Sequence, residues 1–564
     1  MMNKYDTVVI GSGIGGLTAA LCHAQAGEKV LVIEQHYVPG GWSHSFTMDG
    51  NQFNTGVHYI GELSKGGLLR NIFEGLGLGG DLTFCEMTRV GYDHFFIDGK
   101  RYDFPIGRDQ LKEYLIRQFP HERNGIDSLL NKTGKLGSEV PALLDVASLT
   151  DTLKLPFMAP STVRWMLFSY DKFVRRYIRD ERLIQLMSAH AGDHAMPPSD
   201  VMAPMHAGML EHFMRGSFYP QGGGYKIPRS FVRAIKRYGG ELLLKTKVDK
   251  ILTEGCGRAR KVVGVKLGNG SEISCNKVIS NADPHQTFSN MLGFDTLSKR
   301  LRRRLSKTRY SPSCLAIFLA VDIDLKARGF DSGNYWYFNN SNMDDTFKIC
   351  RDEQLYNMDD PPFFVLTVTT LKDPSKRSRY HNLEAFTYVP YSMFEKWRDS
   401  TSGNRPDEYL AFKEHLKDRF LDNIEKLIPD IRQHIKFCEM GTPLTNAFYG
   451  NSTNGNIFGT EKSILQTGPF AFPLKTEIRN LYMCGASTLG HGVIGALASG
   501  LSVSRISLDC KIGDLLKYKD KEITIYQSED IETWPSRFHK TIREKWRTCP
   551  EPSQKDEKLL AVNP

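Results

Sequence analysis

Residues 5–16 of this chain read YDTVVIGSGIGG and decide how its N-terminal part folds. Tyr5–Ile10 is short, rich in β-branched residues and bounded at once by glycine, which predicts a buried parallel strand. The Ala- and Leu-rich segment Leu17–Ala26 predicts a helix, and Lys29–Ile33 (KVLVI) predicts a second strand that ends at Glu34. The stretch therefore predicts a strand–turn–helix–strand unit.

The turn in this unit has the GxGxxG spacing at Gly11, Gly13 and Gly16. Gly11 allows the tight turn, Gly13 lets a pyrophosphate approach the backbone, and Gly16 lets helix and strand pack closely. The helix N-terminus offers unpaired N–H groups to phosphates, and Glu34 can accept hydrogen bonds from ribose hydroxyls. The order of these features predicts a dinucleotide-binding unit; the alternative is a tight βα turn in an unrelated α/β protein.

A second glycine turn, Pro39–Phe46, follows shortly after Glu34 and favours FAD over NAD. NAD dehydrogenases have no need of it, whereas the longer FAD needs a second backbone approach along its ribityl chain. No other GxGxxG follows a strand, so a separate NAD(P)H domain is not expected. The glycine-rich run Gly75–Gly80 follows a helical pattern and is predicted to be a helix end and loop.

Length and composition limit the classes of protein to which the chain can belong. A chain of 564 residues is too long for one ordinary hydrophobic core, which predicts two or more interleaved domains. The net charge of +9 indicates a mild preference for anionic surfaces and no nucleic-acid partner. The ten cysteines form no CxxC pair, which argues against a zinc site or disulfide framework and favours a reducing compartment. We expect a location on the cytoplasmic side, soluble or peripheral to a membrane, without signal peptide or transmembrane span.

Several blocks along the chain resemble the flavin-dependent amine-oxidase superfamily, and within it the branch of phytoene desaturases, carotenoid isomerases and retinol saturases. They occur in family order at residues 39–46, 53–61, 216–224, 239–248, 278–284, 441–449, 480–487 and 490–496. The HYIG block at 58–61 and the PLTNAFY block at 443–449 look most like retinol saturase, with carotenoid isomerase close behind.

The resemblance also implies where the cofactor lies. Val248 would lie near the adenine, Asn281 and Ala282 near the pyrophosphate, and Gly485–Gly495 would place a helix N-terminus under the isoalloxazine. Trp42 departs from the small or basic residue that often follows the family's glycine pair. The predicted FAD contacts are Gly11, Ser12, Gly13, Ile14, Gly15, Gly16, Glu34, Gln35, Gly40, Gly41, Trp42, Ser43, Val248, Asn281, Ala282, Gly485, Gly492, Val493 and Ile494.

The expected fold is α/β, with a discontinuous Rossmann-type FAD-binding domain and an inserted α+β substrate domain of mixed sheet and helices. We assign residues 1–107, 216–299 and 438–510 to the first, 108–215 and 300–437 to the second, and 511–564 to a polar, solvated C-terminal tail.

The substrate domain contains predicted strands at Ser313–Ile323, Phe363–Thr370 and Leu383–Val389, and a helix with one apolar face between Tyr409 and Leu427. Leu153–Arg179 mixes aromatic and apolar with basic residues. This mixture suits a helix in a lipid headgroup region; the alternative is a helix packed on the protein with a basic face in water.

The resemblance implies an FAD-dependent oxidoreductase that acts on carbon–carbon double bonds of an apolar polyene or isoprenoid lipid of retinoid or carotenoid type. Flavin N5 would pass a hydride to or from one carbon while a protein group handles the proton. Alternatives are a cis/trans isomerase of a carotenoid, an amine-oxidase-like flavin oxidase and a flavin-bearing lipid carrier. The electron donor or acceptor is not predicted.

The sequence does not single out one proton donor. The candidates are His58, Tyr59, His206, Tyr449 and His491, with His212 also matching a histidine of the retinol saturase pattern. Each of them alone is more often a structural or cofactor-edge residue than a catalytic one. His190–His194 (HAGDH) resembles a metal site in composition alone, and no metal is predicted.

Overall fold

The structure is a computed structural model that describes residues 4–143, 149–353, 355, 360–376 and 378–545. Its strands are β1 (Lys4–Ile10), β2 (Val30–Ile33), β3 (Ser45–Met48), β4 (Asn51–Asn54), β5 (Ile60–Gly61), β6 (Thr83–Glu86), β7 (Asp93–Ile97), β8 (Lys100–Phe104), β9 (Ser217–Pro220), β10 (Glu241–Leu243), β11 (Val248–Glu254), β12 (Lys261–Leu267), β13 (Glu272–Ser280), β14 (Ser313–Val321), β15 (Asn334–Phe338), β16 (Phe363–Val368), β17 (His381–Val389), β18 (Ile435–Gly441), β19 (Leu481–Met483) and β20 (Thr524–Gln527). Its α-helices are α1 (Ile14–Gln25), α2 (Leu68–Gly75), α3 (Arg108–Gln118), α4 (Arg123–Leu143), α5 (Leu149–Met158), α6 (Pro160–Trp165), α7 (Tyr170–Val174), α8 (Glu181–Ser188), α9 (Ala203–Met214), α10 (Lys226–Arg237), α11 (Lys299–Lys307), α12 (Met343–Ile349), α13 (Thr369–Lys372), α14 (Asp407–Leu427), α15 (Ile431–His434), α16 (Pro443–Gly450), α17 (Gly492–Leu508), α18 (Ile512–Leu515) and α19 (Ser536–Lys545).

The first sheet carries the nucleotide-binding unit. Its strand order is β10-β2-β1-β13-β12-β11, and β19 pairs in parallel with the end of β13. β1 pairs in parallel with β2 and β13, and α1 lies in a core shared with α10 and α17. The predicted strand–turn–helix–strand unit is therefore confirmed, with α1 beginning at Ile14, before the predicted Leu17.

The second sheet has the order β18-β14-β17-β16-β15-β7-β8 and is antiparallel except where β15 pairs with β7. The strands predicted from Ser313, Phe363 and Leu383 are confirmed as β14, β16 and β17. The predicted helix is α14, whose buried face packs on this sheet.

The structure differs from the predicted boundaries because strand pairing joins segments distant in sequence. β7 and β8 belong to the second sheet, although residues 1–107 were assigned to the FAD-binding part. The segment after residue 510 is folded as far as it is described. β20 pairs in parallel with β6, and Trp534 is buried beside it. The prediction of a solvated tail was wrong for residues 511–545, while 546–564 lie outside the described residues.

The predicted amphipathic segment Leu153–Arg179 is divided into the end of α5, α6 and α7, separated by turns at Ala159 and Met166–Ser169. Large apolar side chains stay in solvent here, including Phe157 with 88% of its surface exposed. Within the described ranges, every helix is too short or too polar to cross a membrane.

Candidate functional site

A cavity of about 1780 Å³ lies between the two sheets and reaches both the glycine-rich turns and the substrate part. Of the predicted FAD contacts, all but Ser12 and Gly16 line it. Four of the five predicted proton-donor candidates, His58, Tyr59, Tyr449 and His491, line it too. Ser12 and Gly16 lie behind the cavity wall and support it.

The first glycine turn, Gly11–Gly16, is tightly packed. Gly11 has φ +89°, a backbone conformation that glycine adopts at no steric cost. A Cβ on Gly16 would overlap the carbonyl oxygen of Gly11, so helix α1 could not pack this closely on β1 with a larger residue. Gly16 therefore shapes the site without facing it.

The acid after β2 is held by its own loop. The Glu34 carboxylate accepts hydrogen bonds from the backbone N–H and the hydroxyl of Ser12, at 2.8 and 2.6 Å, and from the N–H of His36 at 2.8 Å. The Ser12 hydroxyl oxygen also accepts from the N–H of Gly40, at 3.2 Å, so it ties both glycine turns together. Glu34 is thus fixed at the cavity wall, where a ribose would be recognised.

Three distant segments meet around Asn281, the residue after β13. Its N–H donates to the carbonyl oxygen of Ile10 at 2.8 Å. A Cβ on Gly13 would lie 2.6 Å from its amide nitrogen, and Cβ atoms on Gly15 and Gly485 would lie 2.7 and 2.8 Å from its amide oxygen. The residues packed around Asn281 leave no room for side chains at these glycines. Because the glycines have none, a pyrophosphate can approach the backbone closely here.

Helix α17 begins at the cavity with Gly492, Val493 and Ile494, and its N-terminal N–H groups form a site for negative charge. A Cβ on Gly492, at φ +68°, would project into open space. The ordered series of a ribose-binding acid, a glycine cradle and a helix N-terminus along one cavity fits an extended FAD molecule. Glu34, Asn281 and Gly492 would hold its ribose, pyrophosphate and flavin ends.

Beyond α17 the cavity wall is mainly apolar and aromatic. It is lined there by Met205, Met209, Phe213, Trp336, Phe386, Tyr388 and Phe458. Tyr59 stacks on Phe213 with ring centroids 4.1 Å apart, and His58 stacks on Phe386 at 5.3 Å. This arm suits a flat, apolar ligand.

The predicted proton-donor candidates occupy different places. Tyr449 packs edge-on against His36, two residues after Glu34, and so lies at the ribose end. His491 lies at the start of α17, with its Nε2 2.7 Å from the carbonyl oxygen of Asp193. Burial and nearby Lys462 lower the pKa of His491 to about 3, so its ring is neutral at neutral pH.

His206 corrects the prediction. It is fully buried behind the cavity wall, packed against Tyr170 with ring centroids 3.9 Å apart, and does not line the cavity. Burial lowers the pKa of His206 to about 3. His212 lines the cavity, but its Nε2 accepts the N–H of Gly61 at 2.7 Å, which is a structural role.

The structure reveals a buried polar cluster that the sequence did not indicate. Four donors converge on the Asp93 carboxylate: His190 Nε2 at 2.8 Å, Tyr59 hydroxyl at 3.1 Å, Asn334 Nδ2 at 2.8 Å and Trp336 Nε1 at 3.1 Å. The Tyr59 hydroxyl also lies 3.5 Å from Oδ2 of Asp193, which faces the cavity. The HAGDH run at residues 190–194 contains two members of this cluster, but in the sequence analysis it was considered only as a metal site.

Asp193 has an unusual protonation equilibrium. Burial, countered in part by His190 and reinforced by the charge of Asp93, raises the pKa of its carboxyl to about 7. Lys372, whose Nζ donates to the carbonyl oxygen of His58 at 2.8 Å and also to Asn334, has its pKa lowered to about 7 by burial. The Asp193 carboxyl, which has a pKa of about 7, can therefore hold or release a proton near neutral pH.

Comparison with known proteins places this site in context. Residues 14–383 match the family described as flavin containing amine oxidoreductase. The chain is 28% identical over 530 residues to an all-trans-retinol 13,14-reductase of Danio rerio, covering 89% of this chain and 86% of that protein. It is 27% identical to a chloroplastic prolycopene isomerase of Daucus carota, covering 90% and 80%.

Solved structures share the fold. A putrescine oxidase bound to putrescine superposes with a TM-score of 0.59 at 13% identity, covering 90% of this chain and 99% of that chain. An oxidoreductase from Methanosarcina mazei gives 0.56 at 17% identity, covering 89% and 99%. The predicted family, α/β fold class, FAD cofactor and oxidoreductase class are confirmed by these matches. The individual site residues stay predictions.

Proposed function

Because the chain belongs to the flavin containing amine oxidoreductase family, we propose that it is an FAD-dependent oxidoreductase acting on carbon–carbon double bonds of an apolar polyene of retinoid or carotenoid type. One observation carries the proposal: a single cavity joins the predicted FAD-binding residues to an aromatic, apolar arm. The relatives named as retinol reductases and prolycopene isomerases support the choice of substrate class.

A bound FAD supplies or accepts a hydride equivalent at one carbon of the double bond. The protein contributes orientation and exclusion of water. Trp336, Phe386 and Phe458 would hold a conjugated chain flat in the arm, and the start of α17 would fix the flavin end of the cofactor. The second candidate function, cis/trans isomerisation, is favoured by the prolycopene isomerase relatives.

The test incubates FAD-loaded protein, reduced with dithionite without oxygen, with all-trans-retinol and with prolycopene. Saturation adds two hydrogens to the product mass, isomerisation changes only its retention and absorption spectrum, and an amine-oxidase activity gives hydrogen peroxide from putrescine in air. We expect one of the first two outcomes. Unchanged polyenes together with peroxide from the amine would overturn the proposal.

We also propose that the lipid enters from a membrane surface through what we call the apolar rim. The rim consists of Leu153, Phe157, Leu167, Phe168, Leu465 and Phe470, which all expose more than 40% of their surface. Cavity-lining residues alternate with them: Leu155 on α5, Met166 after α6, and Pro469. Apolar side chains around an opening favour contact with acyl chains.

A basic helix lies beside the rim. α11 exposes Lys299, Arg300, Arg303 and Lys307, which favours anionic headgroups. It is joined to the rim through Arg304, whose guanidinium donates to the carbonyl oxygen of Phe470 at 2.5 Å. The two features together would orient the opening toward an anionic bilayer.

The test is flotation with vesicles of phosphatidylcholine and phosphatidylserine at low salt. We expect the wild type to float, and the double variant Phe157→Ser, Leu167→Ser to lose most of its binding. Leu410→Ser, at a similarly exposed leucine on α14, is the matched control and should float normally. A wild type that stays in the bottom fraction would overturn membrane entry without affecting the proposed chemistry.

A further inference from the structure

The cluster around Asp93 and Asp193 lies next to the flavin end of the cavity. His491, the residue before α17, contacts the backbone carbonyl of Asp193, and Asp193 lines the same cavity as Gly492. We propose that Asp193 is the proton donor to the double bond, with Tyr59, Asp93 and His190 as positioning residues. This inference rests on the proposed function and names its acid.

The structure favours Asp193 over His206, His491 and His194. His206 is walled off from the cavity, and His491 directs its Nε2 at a backbone carbonyl 2.7 Å away. Burial also lowers the pKa of His194 well below its ordinary range, so that this cavity-lining ring is neutral as well. A carboxyl responds to burial in the opposite way, because burial disfavours the charged form of each group.

The positioning residues fix both the place and the charge of the acid. Asp93 already accepts four hydrogen bonds, so it is fully occupied and does not face the cavity. Its negative charge, close to Asp193, disfavours a second carboxylate there. Tyr59 bridges the two carboxyls and stacks on Phe213, which holds its hydroxyl in place.

The step balances as follows in the saturating direction. A bound reduced flavin would supply a hydride, that is one proton with two electrons, to one carbon and would end oxidised. The other carbon takes the proton of Asp193: the carboxyl O–H bond breaks, the second C–H bond forms, and a carboxylate remains. Two protons from water, one for the flavin and one for the Asp193 carboxylate, together with two electrons from a reductant, dithionite in the test, would restore the starting state.

The titration of Asp193 depends on groups from several elements. These are His190 on its own turn, Asp93 on β7 with Tyr92 before it, Tyr59 before β5 and Tyr388 on β17. His194 follows Asp193 in the chain, His491 contacts its backbone carbonyl, and Lys372 at the end of α13 acts on Asp93. Any measured midpoint therefore belongs to the cluster.

The first test needs no turnover. Infrared difference spectra of FAD-loaded protein between pH 5 and pH 9 should contain the carbonyl band of a protonated carboxylic acid that disappears with a midpoint near pH 7. The band should be absent in Asp193→Asn, shifted in midpoint in Tyr59→Phe, and unchanged in Asp399→Asn, a control at a surface aspartate. A band that persists in Asp193→Asn would overturn the assignment.

The second test follows turnover with dithionite and all-trans-retinol or prolycopene. Asp193→Asn should bind FAD normally and saturate the double bond roughly 100-fold more slowly or worse, since general acids contribute about 10² to 10⁴; Asp193→Glu should recover part of the rate. Wild-type turnover in Asp193→Asn overturns the donor role alone. No double-bond turnover by the wild type overturns the proposed function, and the donor role with it.

Discussion

Replacing Asp193 by asparagine is expected to flatten the pH dependence of unfolding. The pKa of Asp193 is raised to about 7 in the folded protein from an ordinary 3.8. Between these values the folded chain holds a proton that the unfolded chain has lost, so the stability of the wild type falls as pH rises through this window. Below about pH 4 and above about pH 7 the folded and unfolded chains bind the same number of protons at Asp193, so the stability no longer changes with pH through this group.

The size of the effect follows from the two pKa values. A difference of about 3 corresponds to about 4 kcal/mol, since each pKa unit is worth about 1.4 kcal/mol. Asp193 faces a cavity with room for water, so we reduce the expected effect to about 2 kcal/mol. For a chain of this length that is a shift of about 2 °C in melting temperature.

The assay compares melting temperatures at pH 5 and pH 8 for wild type and Asp193→Asn, both saturated with FAD. The melting temperature of the variant relative to that of the wild type should rise by about 1 °C from pH 5 to pH 8, because this interval contains about two thirds of the pH window between the two pKa values. Asp399→Asn, whose side chain is 94% exposed, controls for the loss of one negative charge and should show no such growth. Parallel wild-type and Asp193→Asn curves would refute the reasoning.

Three further outcomes test other parts of the structure. Gly13→Ala should lose FAD on gel filtration because its Cβ would lie 2.6 Å from the amide of Asn281, which is wedged between glycines; Gly513→Ala, where a Cβ meets nothing within 4 Å, should stay yellow. Ser12→Ala removes the hydroxyl that donates to the acid after β2 and should weaken FAD binding roughly tenfold by titration, since a hydrogen bond to a charged group is worth about 1.5–3 kcal/mol. Trp534→Ala should destabilise the docked C-terminal segment by about 3 kcal/mol and make it the first site of limited proteolysis.

Local sequence rules were sufficient for the nucleotide-binding unit. The turn at Gly11, the close packing at Gly16 and the acid after β2 lie within one short stretch, and their roles follow from backbone geometry that the residue types dictate. The same rules failed for the domain boundaries. β7 has ordinary strand composition, and nothing local indicates that its partner is β15, more than two hundred residues later.

That long-range pairing also created the cluster that the sequence concealed. Parallel pairing of β7 with β15 places Asp93 opposite Asn334 and near Trp336, both of which donate to its carboxylate. Three of the five candidate proton donors named from the sequence were histidines, and residue type alone does not reveal burial. Burial drives a histidine to its neutral form and a carboxylic acid to its protonated form. The enclosure that makes His491 unsuitable as an acid is therefore the same one that lets Asp193 keep a proton near neutral pH.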